Sequence, residues 1–221
     1  MSAILFGSIS TVADTSELQR QAFNQAFAEH GLDWQWDRDD YREMLAKSGG
    51  QSRIAEYAKS RGQDVDAAAV HATKSRFFQE NVATADIAPR AGVVDTIKDA
   101  KSQGWKVAFV TTTSADNISA LLGALSPAVQ STDFDLIVDS SDVDEPKPNP
   151  AAYNLALQRL TEDAGHCVAI EDNAGGVEAA QAAGLVCVAF PNQNTAALDL
   201  GPADLRVDRL DVEQLQKLVS D

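Results

Sequence analysis

Three short polar clusters in this 221-residue chain carry side chains that could act together on a phosphate. Thr111-Thr112-Thr113-Ser114 puts four hydroxyls in a row after the apolar run Val107 to Val110 and ahead of a helix-patterned stretch holding Asn117, Leu121 and Leu122. Hydroxyls and free backbone N–H groups at a strand-to-helix turn cradle anions, and the same residues also serve as ordinary helix caps. In Asp144-Glu145-Pro146-Lys147-Pro148-Asn149-Pro150 a single ammonium stands among three prolines. Stiff backbone on both sides would aim Lys147 at a fixed point, where a lone lysine is otherwise solvated. Glu171-Asp172 follows the apolar run Val168 to Ile170 and precedes Asn173-Ala174-Gly175-Gly176. Adjacent acids at a strand end suit a hard cation such as Mg²⁺; the other reading is helix capping by Asp172 or Asn173.

These clusters need a scaffold that brings successive strand ends together. Apolar runs at Ala3 to Phe6, Val107 to Val110, Leu136 to Val138, Val168 to Ile170 and Val186 to Phe190 alternate with longer helix-patterned segments. That alternation predicts an α/β fold, a doubly wound parallel sheet with helices on both faces, whose ligands bind beyond the carboxyl ends of the strands. A helix is expected from Asp14-Thr15-Ser16-Glu17 to Gly31, with Leu18, Ala22, Phe23, Ala26 and Phe27 at helical spacing. Up to residue 87 only helical patterns follow, at Arg38 to Lys47, Gln51 to Arg61 and Asp66 to Asn81. Pro89 to Gly104 reads as the helix that re-enters the sheet. The expected organisation is therefore a core of residues 1–15 and 88–221 interrupted by a helical insert, residues 16–87.

Composition narrows the partners. Eighteen Lys+Arg against 33 Asp+Glu give a net charge of −15, which repels nucleic-acid backbones and anionic membrane surfaces. The apolar stretch Ala3 to Phe6 is too short for a membrane span or secretory core, so a cytoplasmic location is expected. Cys167 and Cys187 lie in apolar runs and read as buried, reduced thiols, and the scattered His30, His71 and His166 form no imidazole metal site. Trp34, Trp36 and Tyr41 read as packing in preference to a ligand wall, and Asp37, Asp39 and Asp40 as a solvated patch at a helix start.

Thr111-Thr112-Thr113-Ser114, Lys147-Pro148-Asn149-Pro150 and Glu171-Asp172 followed by Gly176 and Ala179-Ala180 resemble motifs II, III and IV of the haloacid dehalogenase (HAD) superfamily, in order and in spacing. The helical insert resembles that superfamily's C1 cap on a Rossmann-like core. Trp36 to Ile54, with Gly49-Gly50-Gln51-Ser52-Arg53-Ile54, is similar to subfamily I members of the beta-phosphoglucomutase and CbbY-type sugar-phosphate phosphatase branch. The resemblance implies phosphate or substrate contacts from Thr111, Thr112, Lys147 and the insert's Arg53, and Mg²⁺ held by Glu171 and Asp172.

Motif I departs from the pattern. The family's first strand ends in Asp-x-Asp-Gly-Thr, where this chain reads Gly7-Ser8-Ile9-Ser10-Thr11. Gly7 stands at the nucleophile position and Ile9 at the general acid/base position, so both carboxylates are missing, although Thr11, Asp14 and Thr15 match. Gln19 replaces the mutases' histidine, and Ala151 an acid commonly found after the lysine motif. Losing a nucleophile costs on the order of 10⁶-fold in rate. The expectation is a catalytically impaired member that binds a phosphorylated metabolite or a protein partner, a paralogue included, with Mg²⁺ doubtful. The alternative is an active phosphatase with another nucleophile, such as Ser8, Ser10 or a water oriented by Glu171 or Asp172.

Overall fold

The computed structural model describes residues 2–45 and 49–219. Six parallel strands form one sheet in the order β3-β2-β1-β4-β5-β6: β1 (Ala3–Phe6), β2 (Lys106–Val110), β3 (Leu136–Val138), β4 (Cys167–Glu171), β5 (Val186–Ala189) and β6 (Leu205–Arg206). Side chains alternate across a strand, and β1 uses both faces. Ile4 and Phe6 enter one apolar cluster with Phe109 and Ile170, while Ala3 and Leu5 enter a second with Val110, Tyr153 and Ala169. Burial on both faces explains why these strands read as unbroken apolar runs.

The connections are helical: α1 (Ile9–Val12), α2 (Ser16–Glu29), α3 (Arg38–Met44), α4 (Gly50–Ser60), α5 (Ala67–Thr84), α6 (Val93–Ser102), α7 (Ala115–Leu125), α8 (Ala151–Leu160), α9 (Ala174–Ala182) and α10 (Val212–Lys217). Asp37 and Asp66 cap α3 and α5 by accepting from the N–H groups two and three residues on, which accounts for two of the breaks in the helical stretch. Among the described residues no strand interrupts α2 to α5. These helices enclose a third apolar cluster around Phe23, Phe27, Trp34, Trp36, Tyr41 and Ile54. Trp34, Trp36 and Tyr41 are buried there edge-on and stacked, so they are packing residues.

Several expected boundaries move. The helix expected over Pro89 to Gly104 begins at Val93, because Gly92 takes a left-handed φ of 83° as its N-cap. The helix expected over Arg38 to Lys47 is described only to Met44; Lys47 lies outside the described residues. Glu171 is the last residue of β4 and not the first beyond it, and β5 stops at Ala189, one residue short of Phe190. The pair β6 and α10, and the single turn α1, had no expected counterpart.

Cys167 and Cys187 are free and buried in the second apolar cluster, Cys187 pairing across the ladder with Ala169. Burial pushes the Cys167 thiol up to about 11 and that of Cys187 higher still. No helix among the described residues is long and apolar enough to cross a membrane.

Candidate functional site

Strands β2, β1 and β4 are neighbours, so their carboxyl ends deliver Thr111, Gly7 and Glu171-Asp172 side by side. The Gly7 N–H still bonds the Ile170 carbonyl at 2.9 Å and the Thr111 N–H the Val138 carbonyl at 3.0 Å, which fixes both turns to the sheet. The hydroxyl run divides its work. Ser114 caps α7 through the Asn117 N–H, and Thr113 Oγ1 accepts from Asn117 Nδ2 at 2.9 Å. Thr111 is buried and Thr112 half-buried, and neither enters the Asn117 cap. The capping alternative raised by the sequence thus holds for Ser114, the last residue of the run.

Lys147 arrives from the loop after β3 and is 7% exposed. Its ammonium donates to the Gly7 carbonyl at 2.6 Å, the Val110 carbonyl at 2.8 Å and Glu171 Oε1 at 2.6 Å. Three donors meet three protein acceptors, so the ammonium ties three strand ends together. Glu171 Oε1 also accepts from the Tyr153 hydroxyl at 2.7 Å, and Lys147 Nζ lies 4.3 Å from that ring's centroid. Burial raises the Glu171 carboxyl above the usual carboxylate range against the pull of Lys147. Burial, then the neighbouring Glu171 charge, hold the Tyr153 phenol protonated well beyond its ordinary range.

Gly7 is where the missing side chain matters. Its φ lies outside the left-handed region, so backbone conformation does not demand glycine; space does. A Cβ on residue 7 would stand 2.2 Å from Glu171 Oε1 and 2.3 Å from the Tyr153 hydroxyl. On the other side, a Cβ on Gly176 would meet Glu171 Oε2 at 2.1 Å. The Glu171 carboxylate thus lies in a notch between two residues without side chains. Ile9, two positions on, is buried in the first apolar cluster.

Asp172 is also engaged. Oδ1 accepts from Ser8 Oγ at 2.8 Å and Asn173 Nδ2 at 2.9 Å, and Oδ2 from Asn192 Nδ2 at 2.7 Å. Ser8, one of the alternative nucleophiles, thus has a carboxylate beside it. Ser10 turns away, sharing a 3.0 Å hydrogen bond with Thr15 inside the core. Tyr153 and Asn192 were missed altogether: each sits in a stretch that reads as helix or loop, and nothing local marks its distant carboxylate partner.

Arg53 lies in α4 of the helical layer. Its guanidinium lies 6.0 Å from the Phe23 ring centroid and 5.7 Å from that of Tyr41, and Nε donates to the Met44 carbonyl at 3.1 Å. Burial pushes the Tyr41 phenol up, with the Arg53 charge opposing the shift and that of Asp172 adding to it. Beside Arg53, Lys74 is buried over the Phe23 and Phe78 rings, donating to Gln19 Oε1. Burial, and secondarily Arg53, lower Lys74 to about 7; burial, then Lys74 and Arg53, lower His71 to about 4. In a chain of charge −15, Arg53 and Lys74 are a local concentration of cationic groups.

The Lys74 shift has a measurable consequence. Below about pH 7 the ammonium is charged in both folded and unfolded chains, and its burial cost is fully present. From about 7 to the unfolded value near 10.5 the folded chain binds fewer protons, so stability from this group rises with pH. Lys74→Met is therefore expected to stabilise the protein by about 1–3 kcal/mol at pH 6, with the gain shrinking toward pH 10. Urea titrations at the two pH values check it; a gain independent of pH would contradict the assignment.

Residues 1–184 match the model of the haloacid dehalogenase-like hydrolases. Protein CbbY of Cereibacter sphaeroides is 40% identical over 209 residues, 93% of this chain and 91% of that protein. Protein CbbY of Rhodobacter capsulatus is 35% identical over 221 residues, 99% of this chain and 97% of that protein. The crystal structure of CbbY from Rhodobacter sphaeroides in complex with phosphate superposes with a TM-score of 0.85 at 39% identity, covering 95% of this chain and 94% of that one. A mutant of that protein in complex with xylulose-(1,5)-bisphosphate matches equally well.

Proposed function

Because this chain belongs to the haloacid dehalogenase-like hydrolase family, we propose that it recognises a phosphorylated small metabolite where β1, β2 and β4 end, by a route that does not use an aspartyl nucleophile. One observation carries the reading: the loop Asn192 to Asn194 bonds Asp172 at the end of β4 through Asn192 and Glu17 of the helical layer through Asn194, so that layer is tied to the strand ends where Thr111 and Thr112 lie and where residues 7 and 9 are glycine and a buried isoleucine. Backbone N–H groups and hydroxyls bind a phosphate, and cations from the helical layer take a second anionic group. In this reading residues 16–87 form the cap and residues 1–15 with 88–221 the core. The complexes of CbbY with phosphate and with xylulose-(1,5)-bisphosphate support a phosphorylated sugar as the ligand class.

Loss of the nucleophile and of the acid/base supports binding without turnover by the family's route. A second reading, a hydrolase with another nucleophile, is favoured by Ser8 Oγ, which donates to Asp172 Oδ1 at 2.8 Å. There the carboxylate would take the serine proton as Oγ attacks phosphorus and the P–O bond to the sugar breaks, return that proton to the departing sugar oxygen, and then activate a water that hydrolyses the phosphoserine to free phosphate.

The two readings separate in one experiment. Calorimetry with xylulose-1,5-bisphosphate and simpler sugar phosphates is paired with phosphate release, for wild type and Ser8→Ala. Binding without release is expected, with Arg53→Ala weakening it about tenfold or more. Release abolished by Ser8→Ala would establish the serine route, and absence of binding across the panel would overturn the proposal.

A further inference from the structure

We propose that Tyr153, through Glu171 and Lys147, closes the strand-end site to divalent cations, so that phosphate is bound there without metal. The phosphate half rests on the function proposed above; the exclusion of metal does not.

Mg²⁺ is the group the resemblance implies, and it demands near-octahedral oxygen ligands with several waters retained. The carboxylates available for it are Glu171 and Asp172. Glu171 Oε1 is taken by Lys147 Nζ and the Tyr153 hydroxyl. Glu171 Oε2 has no hydrogen-bond partner, yet it lies against Gly176 in a residue of 0% exposure, with no room for a hydrated ion. Both oxygens of Asp172 accept from protein donors, namely Ser8, Asn173 and Asn192. Among the described residues, no three His, Cys, Asp or Glu side chains converge on a point suited to a metal ion. The donor set does not fit Mg²⁺. The positive charge beside the acids is the ammonium of Lys147, built into the fold.

Tyr153 is the positioning residue in this arrangement. Its hydroxyl stands where a side chain on residue 7 would begin, 2.3 Å from that hypothetical Cβ, and it turns Oε1 toward Lys147. A carboxylate restored at residue 7 therefore meets a filled space. Gly7→Asp alone is expected to lower Tm by about 5 °C or more and to gain no metal site, whereas with Tyr153→Ala the Glu171 carboxylate, otherwise 2.2 Å from the new Cβ, can swing into the space the phenol leaves, and the acid at residue 7 then draws Lys147 off Glu171.

The test reads bound Mn²⁺, a spectroscopic stand-in for Mg²⁺, by electron paramagnetic resonance, and bound inorganic phosphate by equilibrium dialysis. Wild type is expected to leave millimolar Mn²⁺ free and to hold phosphate equally in EDTA and in Mg²⁺. Gly7→Asp/Tyr153→Ala is expected to bind Mn²⁺. Mn²⁺ bound by wild type would overturn the proposal without any variant having to fold. It would equally be overturned by Gly7→Asp alone folding at the wild-type Tm and binding Mn²⁺, or by a folded double variant that binds none. Phosphate held only in Mg²⁺ would overturn metal-free binding. Phosphate held under neither condition, with Mn²⁺ still free in wild type, would sink the function proposed above and leave the exclusion of metal supported.

Discussion

Lys147→Met is expected to destabilise the protein by about 3–5 kcal/mol, a Tm fall on the order of 10 °C for a domain of this size. The cost comes less from the lost attraction than from what is left behind. Lys147 and Glu171 are 7% and 0% exposed along their side chains, and the ammonium satisfies the Gly7 and Val110 carbonyls as well as the carboxylate. Removing the cation strands a buried carboxylate with Tyr153 as its one remaining hydrogen-bond partner among the described residues, together with two strand-end carbonyls. A neutral pair of similar shape removes the stranded charge, so Lys147→Met/Glu171→Gln should recover at least about 1 kcal/mol relative to the sum of the single changes. Denaturant titration of the four proteins measures this coupling directly. Additive losses would mean that the two side chains do not form the ion pair.

Gly92→Ala is expected to cost about as much for a wholly different reason. Gly92 holds φ at 83°, which costs an L side chain about 1–2 kcal/mol, and its Cβ would stand 2.0 Å from the Leu210 carbonyl oxygen. That neighbour is backbone, itself tied down by the 3.0 Å bond from the Leu210 N–H to the Ala91 carbonyl, so it cannot swing aside. Overpacking adds about 1–3 kcal/mol, for a total of about 2–5 kcal/mol. Gly104 supplies the control: its φ is 79° but nothing lies within 4 Å of a built Cβ, so Gly104→Ala should show the conformational part alone. Urea unfolding of both variants separates the two contributions. Equal losses would show that the Leu210 contact does not constrain position 92.

How far the sequence could be read followed from the range of the interaction concerned. Apolar runs such as Ala3–Phe6 and Cys167–Glu171 are buried on both faces, and that demand is written into every residue of the run. The Asp37 and Asp66 caps act over two or three residues, and the helix starts beside them were legible, although Asp37 read as part of a solvated patch and Asp66 as the first residue of its helix. Strand β6 is two residues long, Leu205–Arg206, and is made by its register with Val188 and Ala189, so no local pattern announces it. The site divides in the same way. Thr111, Gly7 and Asp172 could be placed because each follows a strand. The fate of Lys147 could not, because it depends on Tyr153, which lies on a helix face with Ala152 and Ala156 and reads as core. Its hydroxyl meets a carboxylate 18 positions away only after the sheet is assembled.

Cys167 and Cys187 give the fold a clock of its own. Both thiols are inside the sheet's second apolar cluster, on neighbouring strands, with their acidity suppressed by burial. A thiol reagent in solution therefore finds no nucleophile on the closed molecule, and gains two when β4 and β5 separate. When closing is fast relative to alkylation, the labelling rate is the opening equilibrium multiplied by the intrinsic chemistry of a free cysteine. The centre of the sheet can thus be timed in the native protein, without a denaturant and without an introduced probe.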